Sequence, residues 1–204
     1  MELAAISQVI ETRRMLRSFS SEPLPPSLVD QLLELSLRAP SAGNTGGTAW
    51  VVLDDPERLA TYWDHTTDES WRASSDRWPG LRRAPVAALA LASPAAYVAR
   101  YAEDDKAGSG LGAGESAWPV PYWFGDAAFS VMTLLLAAEA AGLGACFLGS
   151  FRGERSLLAA LGVPDEWRLF GTVLLGRPDG HDHRSASLDR PKPGFAERVH
   201  HRRW

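Results

Sequence analysis

Apolar residues recur at three- and four-residue steps near the start of the chain, where Ile6, Val9 and Ile10 share one face of a segment from Leu3 to about Thr12. The spacing predicts a helix, and Arg13, Arg14 and Arg17 follow at or just past its end, where cations suit the helix macrodipole. A proline-rich connection, Ser20 to Pro26, leads to a second helix starting at Ser27, with an apolar stripe of Leu28, Leu32, Leu33, Leu35 and Leu37 and an end near Arg38. Pro40 to Gly47 is a loop of small residues, and Trp50 to Leu53 reads as a buried strand closed by Asp54-Asp55-Pro56.

From Glu57 to Leu81 the pattern is mixed and fits one or two helices, with Trp63, Trp71 and Trp78 facing something apolar. Ala84 to Ala92 predicts a second strand and Pro94 to Tyr101 a short helix. Glu103 to Pro121 has four glycines, a run of charges and no periodicity, so it is expected to be a mobile loop or lid. Asp126 to Gly142 carries the strongest helical pattern, with Phe129, Met132, Thr133, Leu136, Ala137 and Ala140 at helical steps and Gly142 as its terminator. Tyr122, Trp123 and Phe124 are placed just before that helix. A strand over Ala145 to Leu148, a helix over Glu154 to Leu161 and a strand over Leu169 to Leu175 complete the pattern. The tail from Asp189 to Trp204 has Phe195, Val199 and Trp204 among charges and is expected to bury them against another subunit. Helices and strands interleave, with more helix than strand, which gives an α/β or α+β class.

Composition narrows the function. With 204 residues, 45% hydrophobic and 23% charged, the chain has the length and balance of one folded domain, 1–204. A net charge of −4 argues against a nucleic-acid surface and makes the arginines local features. Met1 to Ile6 lacks a basic leader, and the apolar run Ala127 to Leu136 is short for a bilayer, so no membrane partner and a cytoplasmic location are expected. Cys146 is the only cysteine and reads as a buried strand residue. His181-Asp182-His183 reads as a solvated loop, and no metal site is expected.

Two clusters carry chemistry. Arg13 and Arg17, four residues apart, would share a helical face and grip one phosphate between two guanidinium groups, with Arg14 pointing elsewhere. Ser41, Ala42 and Gly43 would let backbone approach a flat ring, Ser41 and Asn44 adding side-chain hydrogen bonds, although an Asx-type turn alone explains the same residues.

Arg13-Arg14-Met15-Leu16-Arg17, Pro40-Ser41-Ala42-Gly43-Asn44 and Gly142-Leu143-Gly144-Ala145-Cys146, in that order, resemble the motifs of the nitroreductase family of FMN-dependent oxidoreductases. The resemblance implies an α+β fold: a mixed, mainly antiparallel sheet flanked by helices, with a C-terminal extension (186–204) reaching onto a dimer partner. It implies that Arg13, Arg14 and Arg17 hold the FMN phosphate or ribityl chain and that Pro40, Ser41, Ala42 and Asn44 line the ring. Leu148 and Gly149 would lie against its other face, and Arg190, with Lys192 nearby, would return to the phosphate. Each FMN would sit at the interface of a homodimer and take contacts from both chains.

The implied activity is hydride transfer from NADPH or NADH through flavin N5 to a nitroaromatic, quinone or related acceptor in a ping-pong cycle. No protein general acid, base or nucleophile is required. Relatives with this scaffold also dehydrogenate, dehalogenate or fragment flavin, and a non-catalytic flavin-binding protein is a further alternative. The chain departs from the family pattern in two places. Asn44 is followed by Thr45-Gly46-Gly47-Thr48 rather than a Gln-Pro-Trp stretch, and Met15 stands where a serine is usual.

Overall fold

The strand predicted over Ala84 to Ala92 is the centre of the molecule. In the computed structural model, which describes residues 3–73 and 78–204, it forms β2 (Val86–Ala92), all of whose residues are buried. A run of small and branched apolar side chains suits a strand covered on both faces. Among the described residues four strands form one antiparallel sheet in the order β1 (Thr48–Leu53), β2, β4 (Arg168–Gly176) and β3 (Gly144–Leu148). Met15 adds an isolated parallel bridge to Ala145 on the outer edge of β3, which makes the sheet mixed but mainly antiparallel.

The period of two along the strands sorts side chains into two cores. Val86, Ala88, Ala90, Val173, Leu175 and Ala145 face α2 (Pro26–Ser36) and α6 (Tyr122–Ala140). Ala87, Leu89, Leu174 and Cys146 face Leu16, Phe19, the Tyr62–Trp63 pair of α3 (Pro56–Thr66) and Leu157 of α7 (Glu154–Ala160). The fold is thus α+β, with helical layers on both faces of the sheet.

Three expectations change. Helix α6 begins at Tyr122, so Tyr122, Trp123 and Phe124 form its first turn. It buries Trp123, Asp126, Ala127, Ser130, Val131, Leu134, Leu135 and Ala138, whereas Phe129 and Met132 are 54% and 39% exposed. The helix is apolar on most of its circumference, so spacing alone picks no face. At 19 residues it is long and apolar enough to cross a membrane, yet its buried stripe packs on α2 and the sheet.

The segment predicted as a lid is a chain of 3₁₀ turns packed on α5 (Pro94–Tyr101). Trp118 is buried there against Tyr97 and Tyr101, and its indole N–H donates to the Leu111 carbonyl at 3.0 Å. Helix α1 (Leu3–Thr12) buries none of its residues in this chain, so Ile6 and Ile10 stand exposed. Residues 74–77, inside the stretch predicted as one or two helices, lie outside the described residues; before them stand α3 and the short α4 (Glu69–Ala73). In this chain Phe195, Val199 and Trp204 of the tail are exposed.

Candidate active site

The arginine cluster does not continue α1. The Arg13 N–H closes the last helical turn on the Val9 carbonyl at 3.1 Å, after which Met15 pairs with the open edge of β3 and the Leu16 N–H donates to the Ala145 carbonyl at 2.9 Å. An unpaired strand edge satisfies backbone groups that a further helical turn would otherwise bond internally. Arg13 and Arg17 therefore do not share a helical face, contrary to the expectation from their spacing.

The three cations have separate environments. Arg13 holds Nε and Nη1 buried without any hydrogen-bond partner among the described residues. Arg17 lies over the Trp78 ring, 4.8 Å from its centroid, and its Nη1 donates to the Met15 carbonyl at 3.2 Å. Arg14 is exposed and points to the end of α6, beside Glu139 and Gly142 to Gly144. The backbone N–H of Arg17 donates to Asp182 at 2.8 Å, so the loop read as solvated is anchored by its aspartate while its two histidines stay exposed.

The loop of small residues is held from outside. Ser41 Oγ accepts from the Gly46 N–H at 2.9 Å and the Asn44 N–H donates to the Ser41 carbonyl at 2.9 Å, a turn of the kind that serine and asparagine favour. Gly43, Asn44 and Gly46 have φ of 63°, 54° and 66°, a region open to glycine and tolerated by asparagine. Asp126 Oδ2 accepts from the Ala42 N–H at 2.7 Å and from the Tyr97 hydroxyl at 2.8 Å, and Arg100 Nε donates to the Gly43 carbonyl at 3.0 Å. Burial, and then the adjacent Asp126 carboxylate, push the Tyr97 phenol far above its ordinary value and keep it a donor. Asp126, Tyr97 and Arg100 were not singled out in the sequence; a lone acid inside the apolar α6 was the available signal.

A cleft of about 520 Å³ opens where β3 ends. Leu148 and Gly149 form one side, and Tyr62, Trp63, Trp71, Phe151 and Arg152 contribute to the rest. Trp63 and Trp71 stack at 5.8 Å with 15° between their planes, and Arg152 pairs with Asp68 at the same cleft. On its floor, burial raises the Tyr62 phenol above its ordinary value, offset in part by the hydroxyls of Thr172, Ser150 and Thr66. Cys146 is 1% exposed and its thiol is pushed up to about 11 by burial, which suits the buried role expected for it.

The nominated residues fall into two groups within one chain. Arg13, Arg14 and Arg17 cluster by the β3 edge, with Leu148 and Gly149 at the end of that strand. Pro40, Ser41, Ala42 and Asn44 sit before β1, at the opposite edge of the sheet. Helix α6 measures the separation: Asp126 holds the loop and Glu139 neighbours Arg14, a span of about 20 Å at 1.5 Å per residue. Arg190 and Lys192 remain exposed on the tail. Among the described residues no group of histidine, cysteine and carboxylate side chains could hold a metal ion.

The nitroreductase family model matches residues 10–177. The chain belongs to the nitroreductase family. Its curated relatives include a candidate NADH dehydrogenase/NAD(P)H nitroreductase of Archaeoglobus fulgidus, 26% identical over 97% of each chain. A 5,6-dimethylbenzimidazole synthase of Rhodospirillum rubrum is 28% identical, covering 91% of this nitroreductase-family chain and 87% of the relative. Among solved structures, a candidate nitroreductase of Desulfovibrio desulfuricans in complex with FMN superposes with a TM-score of 0.62 at 24% identity, over 92% and 98% of the two chains.

Proposed function

We propose that this nitroreductase-family protein is an FMN-dependent oxidoreductase that carries electrons from NADPH or NADH to a small planar acceptor such as a nitroaromatic or quinone, as a homodimer. The observation that carries the reading is Arg13, whose buried Nε and Nη1 meet no acceptor among the described residues. Donors left unpaired in this way are costly, and a phosphate would supply the missing acceptor oxygens. The FMN-bound Desulfovibrio desulfuricans structure and the nitroreductase relative support the same cofactor and donor.

Bound here, FMN would supply two-electron redox chemistry. The chain's own residues bind and orient. Arg13, Arg14 and Arg17 would hold phosphate or ribityl oxygens, Leu148 and Gly149 would border the ring, and Pro40, Ser41, Ala42 and Asn44 would line it from a second chain. A second copy would bring the loop to the arginine cluster, since within one chain the loop lies about 20 Å along α6 from its Arg14 end. The exposed Ile6, Ile10, Phe129 and Met132 and the uncovered tail are the apolar surface that a second copy would bury. Arg190, with Lys192 near it, would return to the phosphate from the tail. The aromatic cleft beside Leu148 and Gly149 would admit the acceptor.

Absorbance of the purified protein, soaked with FMN, desalted and then given NADPH or NADH without air, tests the reading. A retained flavin band that bleaches supports it, and loss of the band on desalting would overturn it. The 5,6-dimethylbenzimidazole synthase relative favours a second reading, a flavin enzyme with other chemistry. A retained band that neither nucleotide bleaches would select that alternative.

A further inference from the structure

The loop 40–47 is short, has three residues at positive φ, and packs its backbone directly on α5: a Cβ on Gly47 would lie 2.4 Å from the Tyr97 ring and one on Gly43 would lie 2.7 Å from Tyr101. Its internal bonds, from the Gly46 N–H to Ser41 Oγ, the Asn44 N–H to the Ser41 carbonyl, and the Thr45 N–H and hydroxyl to the Ala42 carbonyl, close the turn on itself, and its placement against the helices is set by what grips it from outside. The grip has three points. Asp126 on α6 accepts from the Ala42 N–H, Arg100 on α5 donates to the Gly43 carbonyl, and the Ser93 N–H donates to the Gly47 carbonyl at 3.0 Å. Asp126 is 4% exposed, and a carboxylate this deep is retained at a desolvation cost that simple packing would avoid. Arg100 is fixed in turn by paired bonds to Asp105 at 2.6 and 2.8 Å.

We propose that Asp126, Tyr97 and Arg100 are positioning residues: they clamp the loop in the shape that receives the flavin ring, replacing rigidity that Gly46-Gly47 does not supply. The proposal rests on the flavin reading above. The clamp spans two helices, α5 and α6, so the loop keeps its shape before any ligand arrives. Preorganisation of this kind raises affinity by removing the ordering cost of binding.

The test compares Asp126→Ala, Tyr97→Phe and Arg100→Met with the conservative Asp126→Asn, whose amide oxygen still accepts from both partners. In the flavin-free protein, hydrogen exchange of the 42–46 amides should speed up at least about tenfold in Asp126→Ala and less in Tyr97→Phe, with Asp126→Asn close to the parent. FMN titration should show affinity falling about tenfold or more in Asp126→Ala and Arg100→Met, with an altered visible circular dichroism of the bound flavin and recovery in Asp126→Asn. A loosened loop with unchanged affinity and spectrum would overturn the proposal, as would unchanged exchange. If Asp126→Ala does not fold, Tyr97→Phe and Arg100→Met carry the same comparison. Arg13→Met separates the two claims: if it weakens FMN while the clamp variants do not, the clamp alone fails. A parent protein that binds no FMN overturns the flavin reading and the clamp's role with it.

Discussion

The backbone N–H of Arg17 donates to Oδ1 of Asp182 at 2.8 Å, joining positions 165 residues apart. The Ser18 hydroxyl repeats the link by donating to Asp179 at 2.8 Å, so the chain leaving β4 is drawn back over the cation segment. Asp182→Ala removes the acceptor of a half-buried N–H and should lower stability by about 1–2 kcal/mol in urea unfolding. An unchanged midpoint would mean that water replaces the carboxylate without loss.

Arg13 offers the opposite sign in the two states. Arg13→Met keeps the aliphatic stem and removes two buried donors that lack partners. The flavin-free protein should be as stable as the parent or more so by thermal melting, while FMN affinity should fall about tenfold or more. Equal affinity would place the phosphate elsewhere.

Glycines with the same backbone conformation should differ in tolerance. Gly153 and Gly162 have φ of 64° and 70°, but a Cβ on Gly153 would meet the His65 carbonyl oxygen at 2.0 Å, whereas one on Gly162 meets open space. Gly162→Ala should cost about 1 kcal/mol, the strain of a left-handed residue. Gly153→Ala should cost at least about 1 kcal/mol more, because backbone must move. Denaturant midpoints of the two variants decide it, and equal losses would show that space is irrelevant.

The buried thiol of Cys146, pushed up to about 11, binds its proton more tightly folded than unfolded. Its contribution is therefore complete below the unfolded thiol's value and is lost as pH rises from about 9 toward 11. The difference in stability between the parent and Cys146→Ala should shrink over that window. A difference that stays constant between pH 8 and 10.5 would show that the thiol does not titrate differently in the two states.

Phe129 is 54% exposed on α6, on the side away from the core. Phe129→Lys should shift the proposed homodimer toward monomer in light scattering at low micromolar concentration and leave the chain folded by circular dichroism. A dimer as tight as the parent's would remove this face from the interface.

Much of the architecture was legible because local rules govern it. Pro94 after the capping Ser93 marks the start of α5, and the Ser93 hydroxyl accepts from the Ala96 N–H as the pattern requires. The small apolar run at Ala84 to Ala92 became the central strand β2. The face of α6 was not legible, since alanines and large apolar residues surround the helix and only its packing on α2 and the sheet chooses between Phe129 and Val131. Trp118 likewise turns a glycine-rich, aperiodic stretch into a packed element through one buried ring.

The sequence by itself determined the strands, the starts of α5 and α7, the buried cysteine and the order of the three motifs, because these rest on side-chain periodicity, capping and residue chemistry within a few positions. Tertiary structure alone decided how the motif residues stand to one another. It unwound the arginines from α1 onto the β3 edge and set the 40–47 loop under Asp126 and Arg100, about 20 Å from the Arg14 end of α6. The physical reason is that buried hydrogen-bonding groups must find partners wherever the chain brings them, and those partners are 57 to 165 residues away in sequence.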